Sequence, residues 1–179
     1  SGALRTWGRT VNARVVVIRF PGSNCEAESV LALERVGLTA EIRRWNEPSA
    51  VFERFDAFLL PGGFSYQDRI RAGAIAARLP VLDVLARKAE QGAPIVGLCN
   101  GAQILVESGL VNIEEGVIDL ALAPNSIEVR HGYYTRWVFL LPGAFADRCL
   151  FTRHLKEPAP VPMAHGEGRF ITRSESARA

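Results

Sequence analysis

The sequence predicts an α/β fold: an open, mostly parallel sheet with helices on both faces. Two features carry the prediction. Short apolar runs of strand length alternate with longer segments of helical periodicity, the pattern of a parallel sheet joined by crossover helices. Glycine turns and a cysteine follow the runs at Gly22, Gly63 and Cys99, where open α/β sheets collect ligands beyond the carboxyl ends of their strands.

Residues 14–20 supply the first strand, dominated by Val15, Val16, Val17 and Ile18, and stop at Pro21-Gly22-Ser23-Asn24. Residues 26–36 form a helix with Ala27, Val30, Leu31 and Leu33 at helical spacing, and Gly37 stands just beyond as a left-handed cap. Residues 38–42 and 55–60 read as the second and third strands, the third running into Pro61-Gly62-Gly63. Residues 81–91 make an amphipathic helix closed by Gly92, residues 95–98 a strand that stops at Cys99, and residues 102–108 a helix before Gly109. Beyond Leu110 the pattern is less regular. Residues 116–122 and 137–141 read as strands around a polar loop with Asn125, His131 and Gly132, and residues 161–170 form the last segment.

A chain of 179 residues, 48% hydrophobic, fits one domain. Residues 1–13 are polar and irregular and are set aside as a disordered or appended leader, leaving residues 14–179 as the folding unit. Twenty-one basic against nineteen acidic residues give no nucleic-acid footprint and no membrane-binding patch. Cys25, Cys99 and Cys149 are an odd, widely spaced set, neither a disulfide framework nor paired metal ligands. With no signal-peptide core and no apolar run of membrane-spanning length, the expected location is the cytoplasm.

The junction Gly97-Leu98-Cys99-Asn100-Gly101 has the form G-x-C-x-G, the cysteine counterpart of a nucleophile elbow. A nucleophile on a tight strand-to-helix turn needs neighbours without Cβ, so that the flanking elements can pass closely. The helix N-terminus behind it offers free N–H groups and a positive dipole end that stabilise charge on sulfur. The Asn100 N–H is one candidate oxyanion donor, and the loop Gly62-Gly63-Phe64 is the expected source of another. Losing one such donor typically costs roughly 3 to 4 kcal/mol of transition-state stabilisation. Cys25 also stands at a helix start, but nothing pairs with it; it and Cys149 read as structural.

Five segments taken together are distinctive: residues 20–26 (FPGSNCE), 60–66 (LPGGFSY), 73–76 (GAIA), 97–105 (GLCNGAQIL) and 164–169 (AHGEGR). In this order they resemble the glutaminase subunits of phosphoribosylformylglycinamidine synthase, class I glutamine amidotransferases of flavodoxin-like architecture. The resemblance implies hydrolysis of L-glutamine through a glutamyl thioester on Cys99, with ammonia passed to a synthetase subunit, which itself uses ATP and magnesium. A small third subunit belongs to some such assemblies. By position, Gly63 and Asn100 would supply the oxyanion N–H groups and Gln103 would bind glutamine. His165, Gly166 and Glu167 would contact the substrate's amino-acid end. No cofactor and no metal is implied for this chain.

Three departures from that family stand out. Its Pro-His-Pro-Glu motif, which completes the triad, does not occur in these 179 residues, so the resemblance implies a C-terminally incomplete domain. Gln67 stands where the family has glycine, and Ala102 where it has an aromatic residue. A domain that only docks on the synthetase is the alternative reading. A cysteine peptidase or stress protein of the elbow-bearing α/β group would more commonly have histidine at the position of Asn100.

Overall fold

The computed structural model describes residues 5–6, 9–10, 12–112, 118–127, 130–144 and 146–172. Before Asn12, β1 (Arg5–Thr6) and β2 (Arg9–Thr10) form a short antiparallel ladder; the other residues there lie outside the described residues. There follow β3 (Arg14–Arg19), α1 (Glu26–Arg35), β4 (Thr39–Arg44), the short α2 (Ser49–Phe52) and β5 (Ala57–Leu60). Two 3-10 turns, Ser65–Asp68 and Ala76–Arg78, lead to α3 (Val81–Glu90), β6 (Ile95–Gly97) and α4 (Asn100–Ser108). The remainder comprises β7 (Leu120–Pro124), β8 (Ser126–Ile127), β9 (Arg130–His131), β10 (Tyr134–Leu140), a 3-10 turn Ala146–Arg148, β11 (Ala159–His165) and β12 (Glu167–Thr172).

Where length suggests one domain, the contacts group into two compact units, one running to Leu122 and resuming at Phe170, the other Ala123–Arg169. The first contains the sheet β4-β3-β5-β6. All its pairings are parallel, with Val17 opposite both Ile42 and Leu59, and Leu59 opposite Val96. The first strand of this sheet thus lies between the second and third, so the loops after β3 and β5 lead to opposite sides. That reversal is the switch point at which doubly wound sheets bind ligands.

Alternation along the strands divides the core into two layers, as period-2 side chains must. Val16, Ile18, Phe58 and Leu60 pack on one face against Phe52, Val81, Leu82, Leu85, Ile104 and Leu105 of α2, α3 and α4. Val15, Val17 and Leu59 pack on the other, against Val30 and Leu33 of α1. Both faces being covered, β3 and β5 read as unbroken apolar runs rather than alternating ones. Leu31, expected on the inner stripe of α1, is 49% exposed, whereas the polar Glu26 and Ser29 are buried.

The second unit is built on antiparallel pairing. β10 and β11 run together from Tyr134 opposite His165 to Leu140 opposite Ala159, and β8 pairs with β9. Three boundaries differ from expectation. The segment 161–170 is two strands broken at Gly166, the strand expected over 137–141 begins at Tyr134, and β7 ends at Pro124 rather than Leu122. Of the expected strand 116–122, residues 116–117 lie outside the described residues. The helix expected over 102–108 starts at Asn100, directly behind the cysteine.

Candidate active site

Cys99 links β6 to α4 with φ 53° and ψ −110°, a conformation that side chains rarely adopt and that surrounding structure must enforce. The enforcement is steric. A Cβ on Gly97 would lie 2.5 Å from the Gly101 carbonyl carbon, and one on Gly101 would lie 2.0 Å from the Leu60 carbonyl oxygen. The first turn of α4 therefore rests on the backbone of β5 and β6 with no room for a methyl group. Leu98 N–H donates to Leu60 O at 3.0 Å and Gly101 N–H to Leu98 O at 2.9 Å, closing the turn and leaving Cys99 exposed.

The two loops at the switch point are joined to each other. Asn24 N–H donates to Gly62 O at 3.0 Å and Phe64 N–H to Gly22 O at 2.9 Å, flanking an antiparallel bridge between Ser23 and Gly63. In this narrow type of pair the two central residues exchange no hydrogen bond, so the Gly63 N–H is left over. Close approach explains the glycines: a Cβ on Gly22 would meet Phe64 O at 2.3 Å, and one on Gly63 would meet the Ser23 Cα at 2.6 Å. Gly62 lies against the nucleophile, its Cβ position 3.6 Å from the Cys99 Cβ.

The expected oxyanion loop thus divides its roles. Phe64 commits its N–H to Gly22, and Gly62 its carbonyl to Asn24. Among the described residues, the N–H groups of Gly63 and Asn100 donate to no backbone carbonyl, Asn100 because it opens a helix.

The Asn100 side chain, 1% exposed, ties α4 to the loop after β5. Its Oδ1 accepts the Ser65 N–H at 3.1 Å, and its Nδ2 donates to Gln103 Oε1 at 2.9 Å and, more weakly, to Asp68 at 3.4 Å. Gln103, expected to meet substrate, is buried with its amide oxygen held by Asn100. The segment 73–76 belongs to the same construction. A Cβ on Gly73 would lie 2.8 Å from the Gln103 backbone, and Arg71 Nε donates to Glu107 at 2.6 Å, so this loop docks on α4 from outside.

Tyr66, Gln67 and Asp68 have φ of 53°, 59° and 52°, and Ile70 has 74°. Such left-handed residues other than glycine cost roughly 1 to 2 kcal/mol each, a conformation that glycine would adopt without that cost. The strain is held by Tyr66 N–H donating to Pro21 O and by Asn100 gripping Ser65.

His165, Gly166 and Glu167 occupy the turn between β11 and β12 in the second unit. Asn125, 5% exposed, organises it. Its N–H donates to Gly166 O at 2.8 Å, its Nδ2 donates to His165 O at 2.7 Å and Gly132 O at 3.1 Å, and its Oδ1 accepts Gly168 N–H at 3.1 Å. The His165 ring lies over Gly168, where a Cβ would be 2.0 Å from it. Sequence reading noted Asn125 only as part of a polar loop, because its four partners are brought to it by the strands. Among the described residues, no three His, Cys, Asp or Glu side chains gather as a metal site requires, and no helix is long and apolar enough to cross a membrane.

Residues 12–179 match the CobB/CobQ-like glutamine amidotransferase domain. The subunit PurQ of phosphoribosylformylglycinamidine synthase from Methanothrix thermoacetophila is 46% identical over 165 residues, covering 88% of this chain and 63% of the relative. The chain belongs to the PurQ glutamine amidotransferases. PurQ from Thermus thermophilus is 48% identical over 166 residues, covering 91% of this chain and 66% of its own length. The structure of PurLQS from Thermotoga maritima superposes with a TM-score of 0.78 at 33% identity, covering 92% of this chain and 72% of that one. The chain spans about 63% of the length of the first of these PurQ relatives.

The other two thiols, Cys25 and Cys149, differ from each other in their surroundings. Cys25, at the start of α1 with φ 64°, donates to Asn24 Oδ1 at 2.9 Å. Burial and the neighbouring Glu28 and Glu26 push its thiol above the ordinary cysteine value, with a smaller push from Cys99. Cys149 is shifted down, chiefly by the Phe151 backbone N–H and further by the N–H and hydroxyl of Thr152. A raised thiol holds less thiolate at a given pH and a lowered one more. Peptide mapping of iodoacetamide alkylation between about pH 6 and 10 should give Cys149 a lower midpoint than Cys25; the opposite order would contradict these environments. Gly101→Ala should lower unfolding free energy by about 3 kcal/mol in urea titration, the cost of overpacking a site without slack, whereas a loss under about 0.5 kcal/mol would show the elbow can relax.

Proposed function

We propose that this chain is the glutaminase component of a phosphoribosylformylglycinamidine synthase, hydrolysing L-glutamine at Cys99 and delivering ammonia to a synthetase subunit in purine biosynthesis. The observation that carries the reading is the exposed thiol on a strained elbow, set among the Gly62-Gly63 loop and the first turn of α4. The family match and PurQ relatives at 46% and 48% identity support it. A relative found in a structure of PurLQS supports association with a synthetase subunit, and a small third subunit fits the same assembly.

In this reading the Cys99 thiolate attacks the side-chain carbonyl carbon of glutamine. Negative charge gathers on the carbonyl oxygen, where the Gly63 and Asn100 N–H groups receive it. Collapse of the tetrahedral species breaks the carbon–nitrogen bond, and the leaving nitrogen takes a proton to depart as ammonia. A glutamyl thioester remains, and water hydrolyses it to glutamate and the free thiol. Gln103 serves this chemistry through Asn100, whose amide it holds. The role proposed for His165, Gly166 and Glu167, recognition of the amino-acid end of glutamine, rests on the family resemblance, and their turn is kept in shape by Asn125. This chain needs no cofactor; ATP and magnesium are used by the synthetase partner. A cytoplasmic setting suits three cysteines that form no disulfide.

A diazo-ketone analogue of glutamine tests the reading directly. A sulfur–carbon bond forms, N2 leaves and the thiol proton moves to the former diazo carbon, so mass spectrometry reads a stable adduct. Wild type should carry the adduct on Cys99 alone, and Cys99→Ala should carry none. Equal labelling of Cys25 or Cys149, or no labelling of a folded sample, would overturn turnover at Cys99 and leave docking on the synthetase as the function.

A further inference from the structure

The carboxylate of Glu26 is unusual in its placement. It stands at the first position of α1, where acidic side chains are normally solvated and complement the helix dipole, yet Glu26 is 7% exposed. Its Oε1 accepts Arg19 Nε at 2.9 Å and the Ser23 hydroxyl at 3.1 Å. Neither bond goes to an N–H of α1, so Glu26 does not cap the helix. Burying a carboxylate costs several kcal/mol unless it is paired and hydrogen-bonded, and here its bonds run to Arg19, the last residue of β3, and to Ser23 in the turn that follows.

From Ser23 the restraint passes directly to the oxyanion loop. Ser23 Oγ accepts the Phe20 N–H at 3.0 Å and shares its proton between Phe20 O, at 2.8 Å, and Glu26. The Ser23 backbone faces Gly63 with no space between them, and the next residue, Asn24, donates to Gly62 O. A trans peptide is planar, so its N–H points opposite to its carbonyl. With Gly62 O turned toward Asn24, the Gly63 N–H is turned away from the β3 loop, on the peptide that lies against Cys99. We propose that Glu26 is a positioning residue for glutamine hydrolysis, fixing through Ser23 and Asn24 the direction of the Gly62–Gly63 peptide beside Cys99. The inference rests on the glutaminase reading above.

The test compares two electrophiles on the whole chain. The diazo-ketone analogue of glutamine presents a carbonyl oxygen to the oxyanion donors, whereas iodoacetamide loses iodide in one step and needs no such donor. Glu26→Ala should lower the limiting rate of Cys99 labelling by the diazo-ketone about 10- to 100-fold, the scale set by a misplaced or lost donor. Its half-saturating concentration and the iodoacetamide rate at Cys99 should stay within about two-fold. Glu26→Gln, which keeps an oxygen acceptor for Ser23, should restore most of the rate. Ser23→Ala should slow labelling similarly and add little to Glu26→Ala, as members of one chain do; these two variants carry the test if Glu26→Ala fails to fold. Wild-type labelling rates in Glu26→Ala, equal losses with both electrophiles, or additive losses in the double variant would overturn the positioning role while the glutaminase reading stands. A wild type that reacts with iodoacetamide but not with the diazo-ketone would instead overturn the glutaminase reading, and this inference with it.

Discussion

The site depends on the backbone pairing of two loops that leave neighbouring strands in opposite directions. β3 and β5 are adjacent and parallel, and after their last residues the chain turns to opposite faces. Pairing Asn24 with Gly62 and Phe64 with Gly22 ties the loops together across that divergence. The pairing satisfies the Asn24 and Phe64 N–H groups and the Gly62 and Gly22 carbonyls and leaves the Gly63 N–H over. It demands glycine at both Gly22 and Gly63, since either Cβ would come within 2.6 Å of the facing loop.

Against this pairing stands the elbow, a second feature imposed by backbone contact. Gly97, Gly101 and Leu60 meet where β5, β6 and α4 converge, and the contact forces Cys99 into a positive φ. Asn100 then connects the elbow to the loop after β5 through Ser65, and that loop hydrogen-bonds back to Pro21. A displacement of any one of the three segments is therefore felt by the other two. The strained residues 66–68 are held within this closed circuit, as a native state over-determined by its surroundings permits.

Legibility in the sequence followed the range of the interaction. The strands β3 and β5 were readable because burial on both faces leaves an unbroken apolar signature. The elbow was readable because its steric demand is written in glycines two residues either side of Cys99. Asn125 and Glu26 were not. Three of the four partners of Asn125 lie about 40 residues away, and an acidic residue opening a helix is ordinary unless its burial is known. The break at Gly166 was hidden because the pattern on either side of it continues as strand. The left-handed backbone of Gln67 was signalled only by the glycine that the family has at this position.

The site turns on the pairing of the switch-point loops, with the Gly63 and Asn100 N–H groups left over. Amide hydrogen exchange by NMR, residue by residue, tests it most directly. Slow exchange is expected at Asn24 and Phe64, whose N–H groups are bonded across the loops, and fast exchange at Gly63 and Asn100. Gly63 protected as strongly as Phe64, or Asn24 and Phe64 exchanging as freely as an open loop, would contradict it.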